Sequence, residues 1–153
     1  MKTNRLEAFS DGVLAIVITI MVLEFKAPHE ATWEALRPLL PVALSYVLSF
    51  IYVGIYWNNH HHLLHSTERV TGPVLWANNL LLFWLSLVPF VTGWMGETGF
   101  AHVPVTVYGG VLFMAAVSYF VFVQAIIKSQ KKYSLLARAI GDDWKGKASL
   151  AAY

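Results

Sequence analysis

The chain contains no cysteine, and this excludes disulfides, thiol catalysis and thiolate metal sites. Charge is also scarce. Only 13% of the 153 residues are charged, against 57% hydrophobic, whereas a soluble domain carries about a quarter charged residues. A net charge of +2 is too small to point to nucleic acid. No nucleophile–base set, zinc motif or phosphate loop is visible, so an enzyme is not expected.

What is present is apolar length. Residues 8–25, 39–57, 74–95 and 103–127 are each almost free of charge. Crossing a bilayer core takes about 20 such residues at about 1.5 Å of helix per residue. The expected fold is therefore all-α, a polytopic membrane helix bundle with spans over about 5–25, 38–64, 73–95 and 103–128. Residues 1–25 are not a removable signal peptide: Asp11 falls inside the apolar run, and Glu24-Phe25-Lys26 offers no small-residue cleavage site.

Lysine and arginine are distributed unevenly between the loops. With an even number of spans, nine fall on the side of the N-terminus and two on the other, so both ends are expected in the cytoplasm. The residues that follow the fourth span divide into a basic cytoplasmic segment, 129–147, and Ala148–Tyr153. The latter reads as the opening of a further apolar helix, so the sequence is expected to be part of a longer subunit.

Prolines mark the helix starts. Pro38 and Pro41 open the second helix, Pro73 the third and Pro104 the fourth. Pro89 lies well inside the third span and should kink it, freeing a carbonyl that neighbouring helices must satisfy. Asn4 and Glu7 have capping-box spacing at the start of the first.

Residues 106–110, TVYGG, are one transposition away from TVGYG, a potassium-channel filter of stacked backbone carbonyls. Here the first glycine position holds Tyr108, and the stretch continues directly into an apolar helix whose carbonyls are already hydrogen-bonded. Gly109 and Gly110, with Ala115, Ala116 and Ser118, are expected to form a small-residue face for close helix packing.

Two polar clusters interrupt the apolar pattern. One is Arg5, Ser10 and Asp11 on the first span; Ser10-Asp11 could instead cap a helix starting at Gly12. The other is WNNHHHLLH, residues 57–65. Successive helix positions are about 100° apart, so only His61 and His65 share a face, without a third ligand. No metal site is expected. Hydrogen bonding between His60 or His61, Asn78 or Asn79, and Arg5, Ser10 and Asp11 would instead tie three helices together. Above Asp11, Ile16, Ile20 and Leu23 recur at i, i+4, i+7 with Thr19 beside them. Periodicity alone favours lipid or helix packing for this stripe.

Arg5-x-x-x-Phe9-Ser10-Asp11 followed by Ala15-Ile16-x-x-Thr19-x-x-Val22-Leu23-Glu24 resembles the signature of the transmembrane protein 175 family, potassium channels of endolysosomes and prokaryotes. Trp57-x-x-His60-His61, Asn78 and Ser86-x-x-Pro89-Phe90 resemble its second and third spans. The resemblance implies a six-span subunit of a homotetramer in the cell (inner) membrane, of which four spans are visible here. It implies potassium as the permeant ion, with no cofactor and no small-molecule substrate. The first helix would line the pore, with Ile16, Thr19, Ile20 and Leu23 as the constriction, Glu24 at the outer mouth, and Arg5, Ser10, Asp11, His60, His61 and Asn78 bracing the helix. The competing expectation is a proton-coupled carrier of a cation or small solute, with Asp11 and the histidines as a relay.

Overall fold

The computed structural model describes residues 3–130. These form helices α1 (Thr3–Val22), α2 (Leu40–His65), α3 (Gly72–Ser86), α4 (Val88–Glu97) and α5 (His102–Ser129), with a 3-10 segment at Glu34–Leu39 before α2. The described residues thus form the expected all-α membrane bundle. The basic segment from 131 onward and the expected further helix at 148–153 lie outside the described residues.

Local chemistry accounts for the boundaries. Pro41 and Pro73 occupy the first turns of α2 and α3, where a missing N–H breaks no helical bond. Pro89 does the same for α4, so the third span is two helices joined at Leu87. Gly99 and Phe100 take left-handed backbone conformations (φ 60° and 62°) in the tight turn to α5. The Phe100 amide bonds back to the Met95 carbonyl at 2.9 Å there.

The first helix departs from expectation at its C-terminal end. It is already helical at Thr3, the first described residue, and ends at Val22, after which 3-10 hydrogen bonds from Leu23, Glu24 and Phe25 carry the turn on. Ser10 and Asp11 lie inside it, which overturns the reading of these residues as its cap. Asn4 lies inside the helix and so is not its cap, and Glu7 meets His61 of α2 instead of closing a capping box. Among the described residues, three helical stretches are long and apolar enough to cross a membrane: Glu34–His65, Gly72–Glu97 and His102–Ser129. α1 falls short because Arg5, Glu7 and Asp11 leave only residues 12–22 uncharged, about 16 Å of helix against a core of about 30 Å.

α1 and α2 run antiparallel, as the pairing of Glu7 with His61 and Asp11 with Trp57 requires, while α3 packs most extensively on α5 and α4 packs on α2. Buried Leu14, Val17 and Met21 of α1 meet a core that includes Val53, Leu85 and Phe122. The close crossing is made by α4, not by the glycines of TVYGG. A Cβ on Gly96 would stand 2.8 Å from the Val42 Cα, so only glycine lets α4 approach α2 here. Gly109 and Gly110 are exposed, with nothing among the described residues within 4 Å of an added Cβ, whereas Ala115 and Ser118 of the expected packing face are buried. TVYGG is ordinary helix inside α5.

Gly96→Ala should lower stability by about 1–3 kcal/mol through overpacking against backbone. Gly109→Ala should leave the melting temperature unchanged or raise it. Thermal unfolding of both variants in detergent checks the contrast.

Candidate functional site

Two polar layers and one exposed stripe organise the bundle around α1. The innermost layer is a buried triad. Ser10 donates to the Leu6 carbonyl at 2.9 Å and accepts from Nδ2 of Asn78 at 3.1 Å. Oδ1 of Asn78 lies 2.7 Å from Nε2 of His60. A carbonyl oxygen can only accept, so Nε2 carries the proton. All three residues are buried, and the His60 ring stacks on Phe122 of α5 with centroids 5.3 Å apart. The triad therefore ties α1, α2 and α3 directly and touches α5.

A second layer lies on the flank of the triad. Glu7 and Asp11, four residues apart on α1, face His61 and Trp57, four apart on antiparallel α2. Nδ1 of His61 is 2.7 Å from the Glu7 carboxylate, and the Trp57 indole N–H donates to Asp11 at 3.0 Å. The His61 ring lies between those of Trp57 and His65, both near-parallel to it.

Of the bracing residues expected from sequence, Ser10, His60 and Asn78 come together. Asp11 and His61 take other partners, Trp57 and Glu7. Asn79 is exposed, so Asn78 is the asparagine that joins α3 to α1 and α2. Arg5 is exposed and has no hydrogen-bond or ion-pair partner among the described residues. Glu7 and Trp57 are the members that sequence reasoning missed. Their signal was the matched i, i+4 spacing on two helices meeting antiparallel.

A third group was also missed. Ser49 of α2 shares hydrogen bonds with Thr92 of α4 at 2.7 Å and with the Tyr108 hydroxyl of α5 at 3.0 Å. The tyrosine of TVYGG thus serves as a buried cross-link between helices.

The stripe on α1 is the remaining feature. Ile16, Ile20 and Leu23 are 58%, 42% and 75% exposed, while Leu14, Val17 and Met21 on the neighbouring arc are buried. Thr19 sits on the exposed side and its hydroxyl donates back to the Ala15 and Ile16 carbonyls, leaving its lone pairs facing outward. An open groove of about 530 Å³ runs beside the stripe, between Val13, Ile16 and Ile20 on α1 and Ser86, Pro89 and Phe90 at the α3–α4 break. At the end of the bundle away from the N-terminus, Glu24 lies across Gly93 of α4. Close by, Lys26 pairs with Glu97 at 2.6 Å. That bond and the charge of Glu97, with a smaller contribution from Glu24, hold the Lys26 ammonium above its usual range.

Asn78→Ala should cost about 1–2 kcal/mol, because it leaves the buried His60 N–H and Ser10 without their shared partner in a medium that offers no water. Asn79→Ala should cost little. Denaturation of both variants separates the two asparagines. A double-mutant cycle of Glu7→Gln and His61→Ala should give a coupling of about 0.5–1 kcal/mol, because the pair is only part-buried.

Comparison with known proteins agrees with this architecture. Residues 5–89 match the family model described as endosomal/lysosomal potassium channel TMEM175. The chain is 52% identical over 153 residues to a potassium channel of Chryseobacterium sp. (strain P1-3), covering all of this chain and 80% of that protein. It is 35% identical over 126 residues to a potassium channel of Streptomyces collinus, covering 77% of this chain and 61% of that one. The crystal structure of a lysosomal potassium-selective channel TMEM175 homolog from Chamaesiphon minutus superposes with a TM-score of 0.74 at 32% identity, over 99% of this chain and 78% of that one. The chain belongs to the TMEM175 family, a family of multi-pass membrane ion channels and not of enzymes.

Proposed function

We propose that this protein is a potassium-permeable channel of the cell (inner) membrane, with its N-terminus cytoplasmic, that conducts passively as a homotetramer. The observation that carries the reading is the two-sided character of α1. One arc is held inward by Ser10, Leu14, Val17 and Met21, while Ile16 and Ile20, with Leu23 in the turn that follows, face out of the subunit. The named relatives, which are potassium channels, support the same reading.

Around a fourfold axis the three apolar side chains form stacked rings, with Thr19 between them. A narrow apolar neck gates by dewetting, because a small constriction without polar groups is costly for an ion and its water. Potassium passes more readily than sodium because the larger ion sheds part of its hydration at lower cost. Thr19 oxygens offer a partial replacement for that hydration. Glu24, at the outer mouth, raises the local cation concentration. The buried triad holds α1 in the rotation that presents the stripe, and takes no part as an ion ligand.

The carrier reading requires a proton relay between a carboxylate and an imidazole. Asp11, its expected member, is bonded to an indole, so the relay would fall to Glu7 and His61. A carrier gives saturable, pH-coupled counterflow, whereas the channel gives unitary current steps.

Purified full-length protein in liposomes should show potassium-preferring flux. Ile16→Asn and Leu23→Asn, by wetting the neck, should raise leak or lower the K+/Na+ ratio several-fold. Unchanged flux and ion preference in both variants would remove these residues from the conduction path.

A further inference from the structure

We propose that Lys26 sets how strongly the mouth of this channel attracts cations, by cancelling the charge of Glu97 beside Glu24. The inference rests on the channel reading above and extends it to two residues outside the pore stripe.

The geometry begins at the end of α1. Glu24 reaches sideways across α4 because position 93 has no side chain: a Cβ there would stand 2.9 Å from the Glu24 carboxyl carbon. This brings it into a pocket of about 260 Å³ whose other walls are Phe90, Trp94 and Glu97. Two carboxylates therefore border one small space. Two residues further along the chain, Lys26 reaches back and places its ammonium 2.6 Å from the Glu97 carboxylate. Its charge is reinforced by both acids.

The three side chains sum to one negative charge instead of two. Lys26 and Glu97 are 80% and 45% exposed, and contribute little to stability as a surface pair. Their effect is on the field at the mouth. Repeated in each subunit of a tetramer, removal of Lys26 adds four negative charges around the axis, and removal of the Glu97 charge adds four positive ones. Cation supply to a narrow neck follows that field. Lys26 is thus a charge-setting residue, and the bridge moderates the attraction that Glu24 exerts alone.

Single-channel recording of the full-length protein tests this with Lys26→Gln, Glu97→Gln and the double variant. At low ionic strength, potassium current entering from the Glu24 side should rise about twofold in Lys26→Gln and fall by a similar factor in Glu97→Gln, as expected for fixed charge at a mouth. The double variant should return close to wild type. All differences should fade at 1 M salt, where the screening length shrinks to about 3 Å. A bridge that merely braces α1 against α4 would be broken equally by either single substitution. Shifts in the same direction, or no shift at low salt, in a protein that conducts would overturn this inference and leave the channel reading standing. A wild-type protein without potassium current would overturn both.

Discussion

The amide of Asn78 is the point on which the arrangement of this bundle depends. Its oxygen accepts from His60 and its nitrogen donates to Ser10, so one side chain satisfies groups on two other helices. In water such bonds exchange at little net gain. Within a membrane no solvent stands ready to replace them, and a buried polar group left unpaired is costly. Ser10 shares its arc of α1 with Leu14, Val17 and Met21. Anchoring that hydroxyl inward fixes the rotation of the whole helix, and the outward position of Ile16, Ile20 and Leu23 follows. The polar triad and the apolar stripe are two consequences of one rotational choice.

The remaining contacts keep α1 and its neighbours at that setting. Glu7 and Asp11 pair in antiparallel register with His61 and Trp57, which fixes how far α1 slides along α2 as well as how it turns. Elsewhere in the bundle, Ser49, Thr92 and Tyr108 join α2, α4 and α5 by hydroxyls alone. Gly96 permits the close approach of α4 that brings Thr92 within reach of Ser49. The break at Pro89 makes α4 a separate helix, and it packs on α2. Each device is small, and together they give an otherwise uniformly apolar bundle a single packing.

How much of this was legible in the sequence varies with the locality of the cause. A kink at Pro89 could be read directly, because a missing N–H and a ring clash are properties of one residue; that it divides the span into two helices was decided by the structure. Asn78 and the histidines stood out because polar groups in apolar helices need partners. TVYGG could be rejected as a filter from the helix that continues through it, yet the work of Tyr108 was invisible, since nothing local marks a hydroxyl that meets another helix. Glu7 was assigned to a cap because its spacing from Asn4 allowed one. Close packing was expected at Gly109 and Gly110 with Ala115, Ala116 and Ser118, whereas the tight glycine among the described residues is Gly96, because neighbouring small residues do not say which helix lies against them.

Composition and spacing by themselves determined an all-helical membrane chain, its approximate spans and the polar residues that had to be satisfied, because apolar length, proline geometry and desolvation cost act within one segment. Tertiary structure alone decided that His60 pairs with Asn78 while His61 takes Glu7, that Asp11 binds an indole, and which arc of α1 stays uncovered. Those outcomes depend on the relative rotation and crossing of helices. A position on one helix acquires its partner only when another helix is set against it.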